Sequence, residues 1–360
     1  MFGVYIHIPY CRSKCRYCDF YSAACPGGVP DAYVDALCRE WGRFAADGRC
    51  GRPDTLYFGG GTPSLLSGGQ AARFIRAVGP RAGAEVTIEA NPETLTPALL
   101  AEYRAAGVNR ISIGVQTARG ESLARLGRRH TAGDSRRALA WARQAGFENI
   151  SGDVMLALPH YTREELRETL ALLAEGGCSH ISAYLLKIEP GSIFGKRPPD
   201  GLPDDDAAAA FYLDAVETMA ALGFAQYEIS NFAKPGSESR HNRIYWDCGE
   251  YLGLGPAAHS CLRGRRFCTA GTTAAFLAAP AVYEPQGACD AEDYIMLRLR
   301  LTEGLSFPTL AERYGVRFTP RQMRFCARLA ETGLAVLSGE TLRLTPRGML
   351  VQNSILCELL

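Results

Sequence analysis

Short apolar, β-branched runs recur along the first half of the chain: Val4-Tyr-Ile-His-Ile8, Thr55-Leu-Tyr-Phe-Gly59, Glu85-Val-Thr-Ile-Glu-Ala90, Arg110-Ile-Ser-Ile-Gly-Val115, Ile150 to Leu158 and His180 to Leu186. Each has the length and composition of a strand. Between them, apolar residues return at helical spacing over Asp31–Ala46, Gly69–Val78, Pro97–Ala106, Asp134–Ala145 and Arg163–Ala174. Strands alternating with helices of this length build βαβ units and a parallel sheet. The pattern predicts an α/β fold, an open, TIM-like (β/α)6 partial barrel over residues 1–235, whose post-strand loops gather at one end, where such folds bind ligands. Residues 196–206, rich in Pro, Gly and Asp, predict an exposed loop leading into a helix near Ala207.

The periodicity changes further on. Residues 236–287 carry no long run and are expected to connect two domains. Beyond them, helices are predicted around Glu292–Leu301, Ser306–Tyr314 and Pro320–Thr332, then a short β pair across Ser338-Gly339-Glu340 and a last helix from Pro346. Residues 288–360 therefore resemble a small, mostly helical, winged-helix-like domain. Such domains often bind DNA, but this one has nine Arg and no Lys against eight acids. Without a basic face, packing or partner docking is the expectation, and nucleic acid is not an expected partner.

Composition narrows the classes. Of 360 residues, 47% are hydrophobic and 21% charged, which fits a globular chain and not a disordered one. Lys plus Arg number 39 and Asp plus Glu 38, so no global field drives binding to polyanions. The amino terminus lacks a secretory pattern, and no stretch reaches the roughly 18 apolar residues that span a bilayer. A cytoplasmic protein, not an integral membrane one, is expected. Thirteen cysteines in such a chain point to metal or redox chemistry ahead of a disulfide framework.

Three of those thiols, Cys11, Cys15 and Cys18, fall within eight residues directly after the first strand. Zinc usually takes four closed ligands, and a fourth here would be Cys25. A cubane takes one ligand per iron, so three cysteines leave one iron free for an outside ligand. After the second strand comes Phe58-Gly-Gly-Gly-Thr-Pro63. Its glycines make either a tight strand-to-helix turn or a backbone cradle for a carboxylate or amine. Single polar residues then stand at successive strand ends: Glu89, Gln116 and Asp153, with Arg128 nearby. Each alone is more often a capping or turn residue.

CxxxCxxC with an aromatic residue before its last Cys resembles the radical SAM superfamily. That resemblance implies a [4Fe-4S] cluster on Cys11, Cys15 and Cys18. It implies S-adenosylmethionine on the open iron, cleaved by one electron to methionine and a 5′-deoxyadenosyl radical. It further assigns Tyr5, Tyr17, Gly60, Gly61, Thr62, Glu89, Gln116, Arg128 and Asp153 to S-adenosylmethionine contacts.

Over nearly the whole chain, Tyr5-Ile-His-Ile-Pro9, the GGGTP turn, Gly114-Val-Gln116 and Gly253-Leu-Gly-Pro-Ala-Ala-His-Ser260 are similar to the branch holding oxygen-independent coproporphyrinogen III oxidases and HemW-type haem chaperones. The oxidases carry a further Cys two residues after CxxxCxxC, where this chain has Phe20, and a longer segment before the Cys loop. His241-Asn-Arg-Ile-Tyr-Trp246 matches the HNxxYW motif of the chaperones. The resemblance thus implies a haem chaperone with little claim to oxidase activity, haem as cargo, acceptor haemoproteins, and an electron donor such as flavodoxin or ferredoxin. His241 is a candidate iron ligand, and Tyr245 and Trp246 are candidate porphyrin surfaces. The same motif could instead pack a loop, with His259 a competing site residue. Cys248, Cys261 and Cys268 match no cluster spacing and are expected to be buried structural thiols.

Overall fold

A computed structural model of the protein describes residues 1–48 and 50–360. Six parallel strands lie side by side in chain order: β1 (Phe2–Ile8), β2 (Thr55–Gly60), β3 (Glu85–Ala90), β4 (Arg110–Gln116), β5 (Asn149–Leu156) and β6 (His180–Leu185). These are the six strands the sequence predicts, and together with the helices between them they form the partial (β/α)6 barrel.

Successive side chains of a strand point to opposite faces, and here the two faces differ in chemistry. Val4, Ile6, Leu56, Phe58, Ile88, Ile111 and Ile113 are buried under the helices in one hydrophobic core. Their neighbours Tyr5, His7, Tyr57, Glu89, Ser112 and Asp153 turn inward. A parallel sheet buried on both faces usually carries apolar residues on both; a polar inner face is the mark of a space meant for a ligand.

The helices begin where local chemistry starts them. Ser67 and Gln70 form a capping box on Gly68–Val78, and Thr131 and Asp134 form another on Ala132–Gln144. Gly79 and Gly107 end Gly68–Val78 and Pro97–Ala106 in the left-handed conformation.

The segment 236–287 does more than connect. Glu250–Leu254 pairs parallel to the free edge of β1, and His259–Leu262, Arg265–Thr269 and Tyr283–Ala288 continue the sheet antiparallel. On the far side, Asn231–Ala233 and Ala225–Glu228 extend it past β6, making twelve strands among the described residues. These strands are short and divided by turns such as Arg263-Gly264, both at positive φ, so no periodic run announces them.

The helix Arg240–Trp246 closes the barrel from below. Glu85, the first residue of β3, accepts the backbone N–H groups of Arg240 and His241 at 3.1 and 3.0 Å, and the Ser239 hydroxyl accepts that of Asn242. The helix fits because Gly3 has no side chain: a Cβ there would fall 3.0 Å from Ile244 and 3.1 Å from the His241 ring.

The carboxy-terminal domain has its own core around Leu299, Leu305, Leu310, Cys326 and Leu342. Helices Ala291–Arg298, Phe307–Tyr314 and Pro320–Glu331 surround a three-stranded sheet, followed by Pro346–Leu350 and Gln352–Leu359. It docks on the barrel through Arg300, which pairs with the buried Glu228 at 3.0 Å. Among the described residues no helix is long and apolar enough to cross a membrane.

Candidate functional site

The Cys loop leaves β1 beside the GGGTP turn, and the two are stapled together. The N–H of Gly61 donates to Ile8 O and that of Thr62 to Tyr10 O, each at 2.8 Å. A Cβ on Gly61 would stand 2.7 Å from Tyr10 O and 3.0 Å from Cys11 Sγ. Gly60, at φ +113°, would drive one into the His7 ring at 2.7 Å. Glycine is therefore a steric condition for packing the turn against the loop that carries the thiols.

Cys11, Cys15 and Cys18 are free and lie within electrostatic reach of one another. Burial raises the thiol pKa of Cys15 and of Cys18, so a bound metal would have to favour their thiolates. Among the described residues no three ligand side chains close round a single ion. A cubane gives each thiolate its own iron, and three free thiols on one loop are the donor set that such a cluster takes.

The polar residues expected at the strand ends form two groups. Tyr57 donates to Glu89 Oε1 at 2.8 Å, and the Gly60 N–H to Oε2 at 3.2 Å. Ser112 donates to Asp153 Oδ1 at 2.9 Å. Burial raises both carboxyl groups, Glu89 to about 7. In the second group, Arg128 donates to Tyr17 Oη at 2.5 Å and to Asn91 Oδ1 at 2.7 Å, while Asn91 Nδ2 donates to Thr62 Oγ1 at 3.2 Å. Gln116, at φ 65°, turns its amide back over Gly114, where a Cβ would lie 2.9 Å from Nε2. Tyr5 is bonded to His7 Nδ1 at 3.0 Å. Asn91 and His7 were not singled out from the sequence; Asn91 follows Glu89 by two residues on the same inward face, which was the available signal.

Titration of Glu89 has a measurable consequence. Between its unfolded value of 4.5 and its folded value near 7, the folded chain keeps a proton that the unfolded chain loses. The stabilisation this gives below pH 4.5, about 3 kcal/mol, is lost as pH rises through about 7. Thermal unfolding of Glu89→Gln should therefore lack that pH slope, and the variant should bind S-adenosylmethionine more weakly. An unchanged slope with intact cofactor affinity would make Glu89 a turn residue.

A cavity of about 670 Å³ opens from Gly60 and Glu89, passes Tyr5 and His7, and continues along the added strands beneath Tyr245, Trp246 and Tyr251. This volume lies within the roughly 300–1,000 Å³ of cofactor sites. Phe20, 69% exposed, stands on its rim. His259 and the thiols Cys248, Cys261 and Cys289 line its far part. Of the three thiols expected to be buried, Cys261 is buried and Cys248 and Cys268 are only partly so; Cys248 and Cys261 also line the cavity, while Cys268 accepts from Gln286 Nε2 at 3.3 Å.

His241 lies outside the cavity lining. It is buried, with Nδ1 bonded to Thr55 Oγ1 and Nε2 to Tyr245 Oη, both at 2.7 Å, and its ring stacks on Tyr57 at 5.0 Å. Desolvation lowers its pKa to about 3. With both nitrogens engaged, the imidazole has no lone pair free for iron. The helix it anchors carries Tyr245 and Trp246 one turn higher, into the cavity.

A three-cysteine loop and a glycine cradle at the ligand end of a partial barrel define a radical SAM protein, and the sequence model of the Radical SAM superfamily matches residues 5–173. The HemN C-terminal domain matches residues 290–351. The chain is 43% identical over 262 residues to Heme chaperone HemW of Escherichia coli, covering 71% of this chain and 69% of the relative. To Heme chaperone HemW of Mycobacterium tuberculosis it is 36% identical over 378 residues, covering 100% and 95%. The chain belongs to the HemW family. In fold it is similar to coproporphyrinogen III oxidase (HemN) from Escherichia coli, with a TM-score of 0.84 at 22% identity, covering 99% of this chain and 89% of that one.

Proposed function

We propose that the protein is a haem chaperone: it binds a [4Fe-4S] cluster, S-adenosylmethionine and haem, and hands the haem to acceptor haemoproteins in a reducing compartment, the cytosol. The observation that carries this reading is the aromatic cavity continuous with the Gly60–Glu89 cradle, in a chain of the HemW family.

Cys11, Cys15 and Cys18 would hold the cluster, which when bound supplies one electron, received from a donor such as flavodoxin or ferredoxin, to S-adenosylmethionine on its open iron. Around that position the chain's own groups orient and shield. Gly60 and Gly61 expose backbone to an amino or carboxylate group. Glu89, whose carboxyl burial raises to about 7, can accept from an ammonium or hydroxyl. Arg128, fixed by Tyr17 and Asn91, places positive charge beside the Cys loop. Tyr245, Trp246, Tyr251 and Phe20 offer flat, polar-tipped or apolar surfaces to a porphyrin. Arg266, on the cavity wall and paired with Asp293 at 2.8 Å, is suited to a propionate.

The test is anaerobic reconstitution followed by haem titration and a coproporphyrinogen III assay on one sample. Haem binding near one per chain without decarboxylation is expected. Robust decarboxylation with S-adenosylmethionine and a strong reductant would make the protein an oxidase instead.

A further inference from the structure

We propose that His259 is the axial ligand of the haem iron in the Tyr245–Trp246 cavity. This rests on the haem-binding reading above and names the ligand at that site.

Two imidazoles line the cavity, those of His7 and His259. Iron needs a nitrogen lone pair, and that of His7 is taken. Its Nε2 lies 2.8 Å from Tyr21 O, which can only accept, so Nε2 carries the proton. The remaining lone pair, on Nδ1, accepts from the Tyr5 hydroxyl at 3.0 Å. His241 is bonded at both nitrogens and lies outside the lining. His259 differs from both: it is exposed in the cavity, and neither ring nitrogen has a hydrogen-bond partner among the described residues. The ring is free while the backbone beneath it is fixed. The chain enters the strand His259–Leu262 through Ala257, at φ 60°, a conformation uncommon outside glycine that persists only where its surroundings enforce it. Here the Ala257 N–H donates to Thr269 O at 3.0 Å and the Thr269 N–H to Ala258 O at 2.8 Å. The next side chain, Ser260, is buried and accepts the Gly253 N–H at 2.9 Å. Side chains alternate along a strand, so with Ser260 turned into the protein, His259 and Cys261 turn to the cavity.

An imidazole nitrogen on a rigid strand, facing a cavity walled by Tyr245, Trp246 and Tyr251, is the donor that an axial site on a flat ring requires. A neutral imidazole already has its lone pair, whereas Cys248, Cys261 and Cys289, which share the lining, must each lose a proton before they ligate as thiolates. As the iron–nitrogen bond forms, the iron releases its water or chloride and the second ring nitrogen keeps its proton; no electron moves. Metal-bound histidines usually donate that second N–H to a carboxylate or carbonyl, which strengthens the ligand. His259 has no such partner among the described residues, and a ligand left unstrengthened suits a protein that must give its cargo away. The cavity thiols are the competing ligands.

Ferric haem is titrated anaerobically into the reconstituted full-length protein and into His259→Ala, Cys248→Ala, Cys261→Ala and Cys289→Ala. Electron paramagnetic resonance and magnetic circular dichroism of the ferric complex read the ligand, and the cluster absorption and melting temperature control for folding. Wild type and the three cysteine variants should show an imidazole signature. His259→Ala should lose it, with affinity about tenfold weaker or more, at an unchanged melting temperature, and free imidazole added to that variant should restore it. A thiolate signature in wild type, or an imidazole signature that survives in His259→Ala, overturns the assignment and leaves haem binding standing. So does a His259→Ala variant that melts lower and is not rescued by imidazole. A wild type that binds no haem overturns both.

Discussion

Replacing Cys11, Cys15 or Cys18 by alanine, one at a time, is expected to abolish the [4Fe-4S] absorption of the anaerobically reconstituted protein. Iron and sulfide per chain should fall to background. A cubane leaves one iron for S-adenosylmethionine only if each of the other three has its own thiolate, so removing one sulfur leaves two irons without a protein ligand. Cys25, the nearest substitute in sequence, is committed elsewhere: its N–H donates to Cys11 O at 2.7 Å and its thiol to Gly28 O at 3.2 Å. Cys25→Ala should accordingly load a full cluster. Folding should survive Cys15→Ala and Cys18→Ala, because both thiols are only half-buried and outside the core, while the buried Cys11 and Cys25, which packs against the core, need a melting temperature beside the cluster spectrum. A single Ala variant of the first three that keeps a full, S-adenosylmethionine-responsive spectrum would remove that residue from the ligand set.

The cluster loop was legible because its chemistry is local. Three thiols within eight residues point to a metal before any fold is known, and the glycines of the second strand's turn have steric reasons, the His7 ring beside Gly60 and the approach of Gly61 to Tyr10 O and Cys11. The six strands were legible for a related reason: Val4, Ile6, Leu56, Phe58, Ile111 and Ile113 face the helices and make each run apolar enough to read. The strands of residues 250–288 were not. Each has four to six residues and includes polar ones such as Arg265, Arg266, Glu284 and Gln286, and what makes them strands is the free edge of β1, which no local window contains.

The thiols of the cavity show the same limit. Sequence proximity grouped Cys248 and Cys261 with Cys268, and the sheet replaces Cys268 with Cys289. The hairpin of Arg265–Thr269 and Tyr283–Ala288 returns the chain to Gly264, whose carbonyl accepts the Cys289 N–H at 2.9 Å. A residue far along the chain thereby arrives beside Cys261, while Cys268 is carried to the opposite end of its strand.

The HNxxYW segment was recognised as a motif, and its first residue is the one whose geometry departs most from the expected role. In His241→Ala we expect a loss of about 3–5 kcal/mol of stability near neutral pH, from the cavity left beside Tyr57 and from the Thr55 and Tyr245 hydroxyls left without partners in a buried site. Haem affinity should fall too, because Tyr245 and Trp246 are carried by the helix that His241 anchors, yet the spectroscopic signature of the residual haem should not change. An iron ligand would behave otherwise: its loss would alter that signature and spare the melting temperature. The pH profile separates the two roles again. Burial lowers the His241 pKa from 6.5 to about 3, so between those values the unfolded chain binds a proton that the folded chain refuses. Wild type therefore loses stability as pH falls through that window, by something on the order of 4 kcal/mol from this residue. The variant lacks the group and escapes that loss, so the gap between the two proteins should narrow steadily from pH 7 to pH 4. Denaturant unfolding of both proteins across that range measures it, and a gap that stays constant would show that His241 is not the neutral, doubly bonded anchor of the barrel floor.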